Sequence, residues 1–119
     1  MAEAFRSERV PYLRVILEIP EIRYQREPEA LIDTGFTQGA AVPAELLPPG
    51  VAALSDAPIR LADGELRYVP AYLAAVRIGA TRIDFVSIFE MGNEPIIGLD
   101  INTQFRVTID HAVSMTFEP

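Results

Sequence analysis

Ala30-Leu31-Ile32-Asp33-Thr34-Gly35-Phe36-Thr37 (ALIDTGFT) is the stretch on which the reading of this chain turns. An apolar run leads into an aspartate, a threonine and a glycine. That order sets a carboxylate at the end of a buried strand. Two positions on stands a glycine. Taken locally, the tripeptide serves equally well as a turn in which Asp33 caps its own backbone. The surrounding sequence has to separate these uses.

Upstream, residues 12–19 (YLRVILEI) are rich in β-branched and apolar side chains and read as a strand stopped by Pro20. Residues 22–26 continue as its partner, and Pro28 falls at the start of the next strand, where a missing N–H is tolerated. The acidic stretch 18–29 carries Arg23 and Arg26 and reads as a solvated face. Downstream, residues 40–43 form a further strand. Residues 44–47, between Pro43 and Pro48, have room for one helical turn.

Three hairpin signals follow. Residues 59–62 and 65–68 flank Asp63-Gly64, which predicts a two-residue type I′ turn. That register would pair Leu61 with Leu66 and Ile59 with Tyr68, and would set Arg60 opposite Arg67. The second hairpin joins residues 74–78 to 82–89 around Gly79-Ala80-Thr81. The third joins residues 105–109 to 113–117 around Asp110-His111-Ala112, with Phe105, Val107, Ile109, Val113, Met115 and Phe117 on one face. Between the last two, Pro95-Ile96-Ile97-Gly98 leads an apolar strand into a short helix at residues 99–102.

Composition narrows the chemistry. The 119 residues are enough for one domain with a real core, and 50% hydrophobic with 23% charged reads as globular. No cysteine is present, so thiol nucleophiles and zinc–thiolate sites are excluded. A single histidine, His111, excludes a multi-His metal site and reads as a solvated turn residue. Asp84, Asp100 and Asp110 are candidates for a carboxylate cluster, but read better as strand, helix-start and turn positions. The net charge of −7 disfavours nucleic-acid binding. Residues 1–10 are polar and read as a flexible arm before a single domain over 11–119. Without an apolar leader or an 18-residue apolar run, the expectation is a cytoplasmic protein with no membrane partner.

Asp33-Thr34-Gly35 after an apolar strand resembles the active-site loop of the retropepsin-like (clan AA) aspartic proteases, in particular the stand-alone bacterial type. Ile96-Ile97-Gly98 before a short helix is similar to the family's second signature. The Asp63-Gly64 hairpin falls between them, where the family has its flap. The resemblance spans residues 12–117, and the order of the three features is more specific than any one of them. It implies an all-β, closed-barrel-like retropepsin (acid protease) fold with one short helix near the C-terminus. It also implies that Asp33 is the catalytic carboxylate and that Thr34 bonds across a two-fold axis. Gly35 would admit the substrate backbone. Phe36, Thr37, Asp63, Gly64, Ile96 and Ile97 would line the substrate site. Retroviral members carry a small residue where Phe36 stands and an acid where Thr37 stands, and their flap tip is richer in glycine. These departures bear on substrate range.

Peptide hydrolysis by carboxylates needs two of them sharing a proton, one acting as base on a water and the other as hydrogen-bond donor. This chain has one such motif and is too short for two lobes. A symmetric homodimer would bring Asp33 to its own copy. The expectation is an aspartic endopeptidase acting on polypeptides without metal or cofactor. One rival is a dimer of the same fold that binds peptides without cleaving them. The other is a monomeric β-barrel with an incidental Asp-Thr-Gly turn.

Overall fold

Short β-branched runs punctuated by proline and glycine become short strands in the computed structural model, which describes residues 3–50 and 52–119. In chain order they are β1 (Phe5–Ser7), β2 (Tyr12–Arg14), β3 (Ile16–Ile19), β4 (Tyr24–Arg26), β5 (Glu29–Ile32), β6 (Ala40–Val42), β7 (Ser55–Arg60), β8 (Leu66–Ile78), β9 (Thr81–Glu90), β10 (Ile96–Ile97), β11 (Arg106–Asp110) and β12 (Ser114–Glu118). One short helix, α1 (Leu99–Asn102), follows β10, and single 3-10 turns occupy Pro20–Ile22 and Ala44–Leu46. No helix among the described residues is long and apolar enough to cross a membrane.

The first hairpin frames the barrel. A single register runs its whole length, pairing Tyr12 with Leu31, Leu13 with Ala30, Leu17 with Arg26 and Ile19 with Tyr24. Pro28 cannot donate, and its carbonyl instead accepts the Val15 N–H at 3.0 Å, carrying the ladder across the break between β2 and β3. From β3 the pairing passes to β8, then β9, β6 and β10, and returns through β10 to β5 of the same hairpin. The ladder therefore comes back to where it began, and the expected closed-barrel-like all-β architecture is present. Its interior holds Leu13, Leu17, Val76, Ile78, Ile88 and Ile97, each nearly inaccessible to solvent.

A second sheet, ordered β1-β12-β11, seals one side of this core. Met115 and Phe117 of β12 are fully buried in the same cluster as Leu13 and Ile97. Phe105 meets Phe117 edge-on at 5.7 Å, and Phe5 lies 6.4 Å from it on the other side. This corrects the expectation of a flexible arm over residues 1–10. Met1 and Ala2 lie outside the described residues, but Phe5 pairs with Phe117 and Ser7 with Met115. The short apolar signal of Phe5 is easily lost among charged neighbours; its burial against β12 is what orders the segment. The alternation proposed for the third hairpin holds at Met115 and Phe117, while Ile109 and Val113 at its tip are exposed.

Three other details depart from expectation. The hairpin at Asp63-Gly64 has a longer loop. Only Gly64 of the pair has positive φ (88°), the Gly64 N–H bonds Leu61, and Leu61 N–H bonds Glu65. A type I turn with a bulge glycine adds a residue and slips the register by one. Ile59 thus faces Arg67, and Arg60 faces Leu66. Glu18, read as part of a solvated face, is buried and pairs with Arg77 of β8 and with Arg82 of β9 at 2.5 Å. Cations from neighbouring strands, not the local Arg23 and Arg26, neutralise it, which is how a carboxylate is tolerated there. In β9, a bulge puts Phe85 at φ 58° and leaves its ring exposed.

If β12 belongs to the main core, Phe117→Ala should destabilise the protein by about 3–5 kcal/mol. Chemical denaturation measures this; a loss below about 1 kcal/mol would mean the second sheet is only loosely attached.

Candidate active site

The loop carrying Asp33 is built by threading one strand between two others. β5 delivers Leu31 and Ile32, and β10 runs parallel beside it, with Ile96 opposite Leu31 and Ile97 opposite Ile32. On its other edge β10 pairs antiparallel with Ala40 and Ala41 of β6. The Asp33–Gln38 loop thus leaves the barrel next to β10 and comes back on its far side. Ile97, fully buried, gives its carbonyl to the Asp33 N–H at 3.0 Å.

Backbone bonds then fasten the loop to the strand that crosses it. The Gly98 N–H donates to Gly39 O at 2.7 Å, Leu99 N–H to Phe36 O at 2.8 Å and Asp100 N–H to Gln38 O at 3.2 Å. Gly98 has to be glycine here. A Cβ on it would lie 2.3 Å from Gln38 O and 2.7 Å from Phe36 O. Both obstacles are backbone and cannot step aside.

Asp33 is half-buried, and its Oδ1 accepts the Gly35 N–H at 2.9 Å, while Phe36 N–H closes the turn on Asp33 O at 3.1 Å. The local turn read from the sequence is therefore real, and the same turn aims the carboxylate. No side-chain donor within the described chain contacts that carboxylate. Thr34, Gly35 and Thr37 are exposed. Phe36 turns partly inward and meets Phe89 edge-on at 6.0 Å, tying the loop to a small second core with Ile59, Val69 and Ile96.

That second core seats the β7–β8 hairpin over the loop. Between them lies a cleft of about 300 Å³, with Gly35–Gln38 as one wall and Pro58, Ile59, Arg60 and Leu66 as the other. Asp63 and Gly64, expected in the substrate site, stand exposed at the hairpin tip beyond this cleft. The structure thus brings Gly35, Phe36 and Thr37 together and sets Ile96 and Ile97 beneath the loop as its support.

The chain superposes on the crystal structure of a retropepsin-like aspartic protease from Rickettsia conorii with a TM-score of 0.64, covering 97% of this chain and 88% of that one at 12% sequence identity. The fold is retropepsin-like. No family model matches the sequence, and no curated protein matches it. Fold and not sequence carries the likeness.

In this retropepsin-like frame, two residues matter that the sequence did not single out. Asn102 at the end of α1 is buried, and its Nδ2 donates at 3.3 Å to Ile97 O, the carbonyl that also holds Asp33 N–H. Its Oδ1 has no partner among the described residues. An asparagine closing a four-residue apolar helix carries no pattern that marks it. Arg60 was assigned to face Arg67 by the two-residue turn, so its place on the cleft was hidden by the register. Asp84 and Asp110 are engaged by Arg82 and His111, and no group of three potential metal-ligating side chains occurs among the described residues. At the other end of the loop's support, Tyr12 donates to Glu94 Oε1 at 3.3 Å, and the charge of Glu94 pushes the phenol above its ordinary value.

Gly98→Ala should disrupt the loop, with a stability loss of about 3 kcal/mol or more, at the upper end for inserted carbons. Thermal or chemical denaturation reads this, and a variant as stable as the parent would contradict the threaded packing.

Proposed function

We propose that this protein is a homodimeric aspartic endopeptidase in which each protomer supplies one Asp33. The observation that carries the reading is the setting of that carboxylate. It follows β5, in a loop fixed to Ile97 and Gly98, beside a cleft roofed by a hairpin, in a retropepsin-like fold. A water held between the two Asp33 carboxylates is the nucleophile. The ionised carboxylate takes a proton from it, while the protonated one donates a hydrogen bond to the scissile carbonyl oxygen. The water oxygen adds to the carbonyl carbon as the acid's proton passes to the carbonyl oxygen, giving a tetrahedral diol. Collapse of the diol breaks the C–N bond: the carboxylate protonated by the water gives its proton to the leaving amine, and the other takes a proton from a diol hydroxyl, which restores the singly protonated dyad. Each Asp33 alternates between acid and base, and no metal or cofactor enters.

Thr34 is exposed in the single chain, and in the proposed dimer its hydroxyl bonds across the axis to the partner chain and braces both loops. Two carboxylates brought together repel when both are charged, so they titrate as a pair. The hairpin has to open for a polypeptide to reach them.

Asp33→Asn should lower hydrolysis of an unfolded protein by at least about a hundredfold while leaving fold and dimer intact, because the amide keeps the shape and loses the base. Cleavage products are read by mass spectrometry and the dimer by sedimentation. Undiminished hydrolysis in the variant would refute the assignment. A well-folded parent that binds peptides and cleaves none would favour the non-catalytic module.

Gly64→Val tests the flap. Space is open around Gly64, but its φ of 88° is strained for a β-branched residue. Turnover of a protein substrate should fall several-fold; unchanged turnover would mean that this hairpin is no lid.

A further inference from the structure

We propose that Arg60 makes the cleft beside Asp33 select an acidic side chain within an otherwise apolar, extended peptide. The inference deepens the protease reading and rests on it for the place of the peptide.

Directly opposed residues of an antiparallel pair share a face. In the observed register Pro58 faces Tyr68 and Arg60 faces Leu66, and Pro58, Arg60 and Leu66 line the cleft. Leu66 and Tyr68 are exposed, at 46% and 66%. From Pro58 to the tip this face is therefore a row of uncovered apolar groups with one cation among them, and Asp56 follows farther along it, outside the cleft. The opposite wall, Gly35–Gln38, carries no charge. Among the described residues, Arg60 is the only charged side chain lining the cleft.

Its charge is also unclaimed. Among the described residues no carboxylate lies within ion-pair distance of Arg60, and its one side-chain bond runs from Nη1 to Gly64 O at 2.9 Å. The acids at the hairpin tip are engaged elsewhere. Glu65 pairs with Arg67 at 3.5 Å, and Asp63 Oδ1 accepts the Glu65 N–H at 2.8 Å. The remaining guanidinium donors form the planar fork that binds a carboxylate through two parallel bonds. The chain as a whole is acidic, at −7, and would repel an acidic peptide at long range. A preference for acid must therefore come from this short-range contact, because physiological salt screens fields beyond about 8 Å.

The test uses Asp33→Asn protein, so that nothing is cut, and fluorescently labelled apolar octapeptides carrying a single Glu, Gln or Lys at each position in turn. At neutral pH, anisotropy should show the Glu peptide binding about fivefold more tightly than the Gln peptide at one position, as for a partly exposed ion pair. Arg60→Gln keeps an amide donor for Gly64 O and removes the charge; it should abolish the difference. Arg60→Glu should invert it in favour of Lys. A Glu preference that persists in Arg60→Gln, no preference at any position, or no binding of any peptide would each overturn the proposal. Arg60-dependent acid preference in a protein whose parent never cleaves would uphold the selection and sink the catalytic reading, so the two fail separately.

Discussion

The hydrogen bond from the Asp33 N–H to the Ile97 carbonyl is the contact on which the site's geometry hangs. It exists only because a two-residue strand is threaded between β5 and β6, parallel to one and antiparallel to the other. β10 comes from a segment far in sequence from both, so the ordering cost of bringing it there has to be met by the barrel around it. The buried interior of Leu13, Val76, Ile88 and Ile97 does this, and the second sheet adds Met115 and Phe117 to the same core. The carboxylate is positioned by packing that lies almost wholly behind it.

A loop that must hold a carboxylate still, while staying open to a substrate, cannot be buried on both sides. Here one side is fastened by backbone bonds from Gly98, Leu99 and Asp100. The other side is left facing the cleft, where Thr34, Gly35 and Thr37 are exposed. Phe36 links the two sides, since its ring joins the small core under the hairpin. The large residue at this position therefore couples the loop to the roof above it, and it gives this chain a cleft whose shape depends on both. An apolar row broken by Arg60 then follows from the register of that roof.

Much of this was legible in the sequence because the relevant signals are local. Apolar runs and proline stops marked β5, β6 and β12, and Ile96-Ile97-Gly98 marked β10 and the helix after it; residues 65–68 and 74–78, read as strands of separate hairpins, are the two ends of β8, which runs unbroken through Pro70. Asp33 stood out through the order of three features, its own tripeptide, the Asp63-Gly64 hairpin and Ile96-Ile97-Gly98, since the tripeptide alone reads equally well as a turn. What was hidden depended on contacts between distant segments. Phe5 reads as part of a charged arm until Phe117 is beside it, and Glu18 reads as solvated until Arg77 and Arg82 arrive from other strands. The Asp63-Gly64 turn was recognised but given one residue too few. That single residue moved Arg60 from a repulsive pair to the cleft wall. Asn102 left no trace at all, since one buried polar side chain at a helix end has no periodicity.

The central claim is that a site assembled once per chain becomes a catalytic pair by symmetry. An experimental structure of the assembled protein tests it most directly, through the separation of the two Asp33 carboxylates. The account predicts a two-fold dimer with these carboxylates within hydrogen-bonding reach of each other, about 3 Å apart. A monomer at the concentrations where peptide is cleaved, or a dimer with the two copies of Asp33 on remote faces, would contradict it.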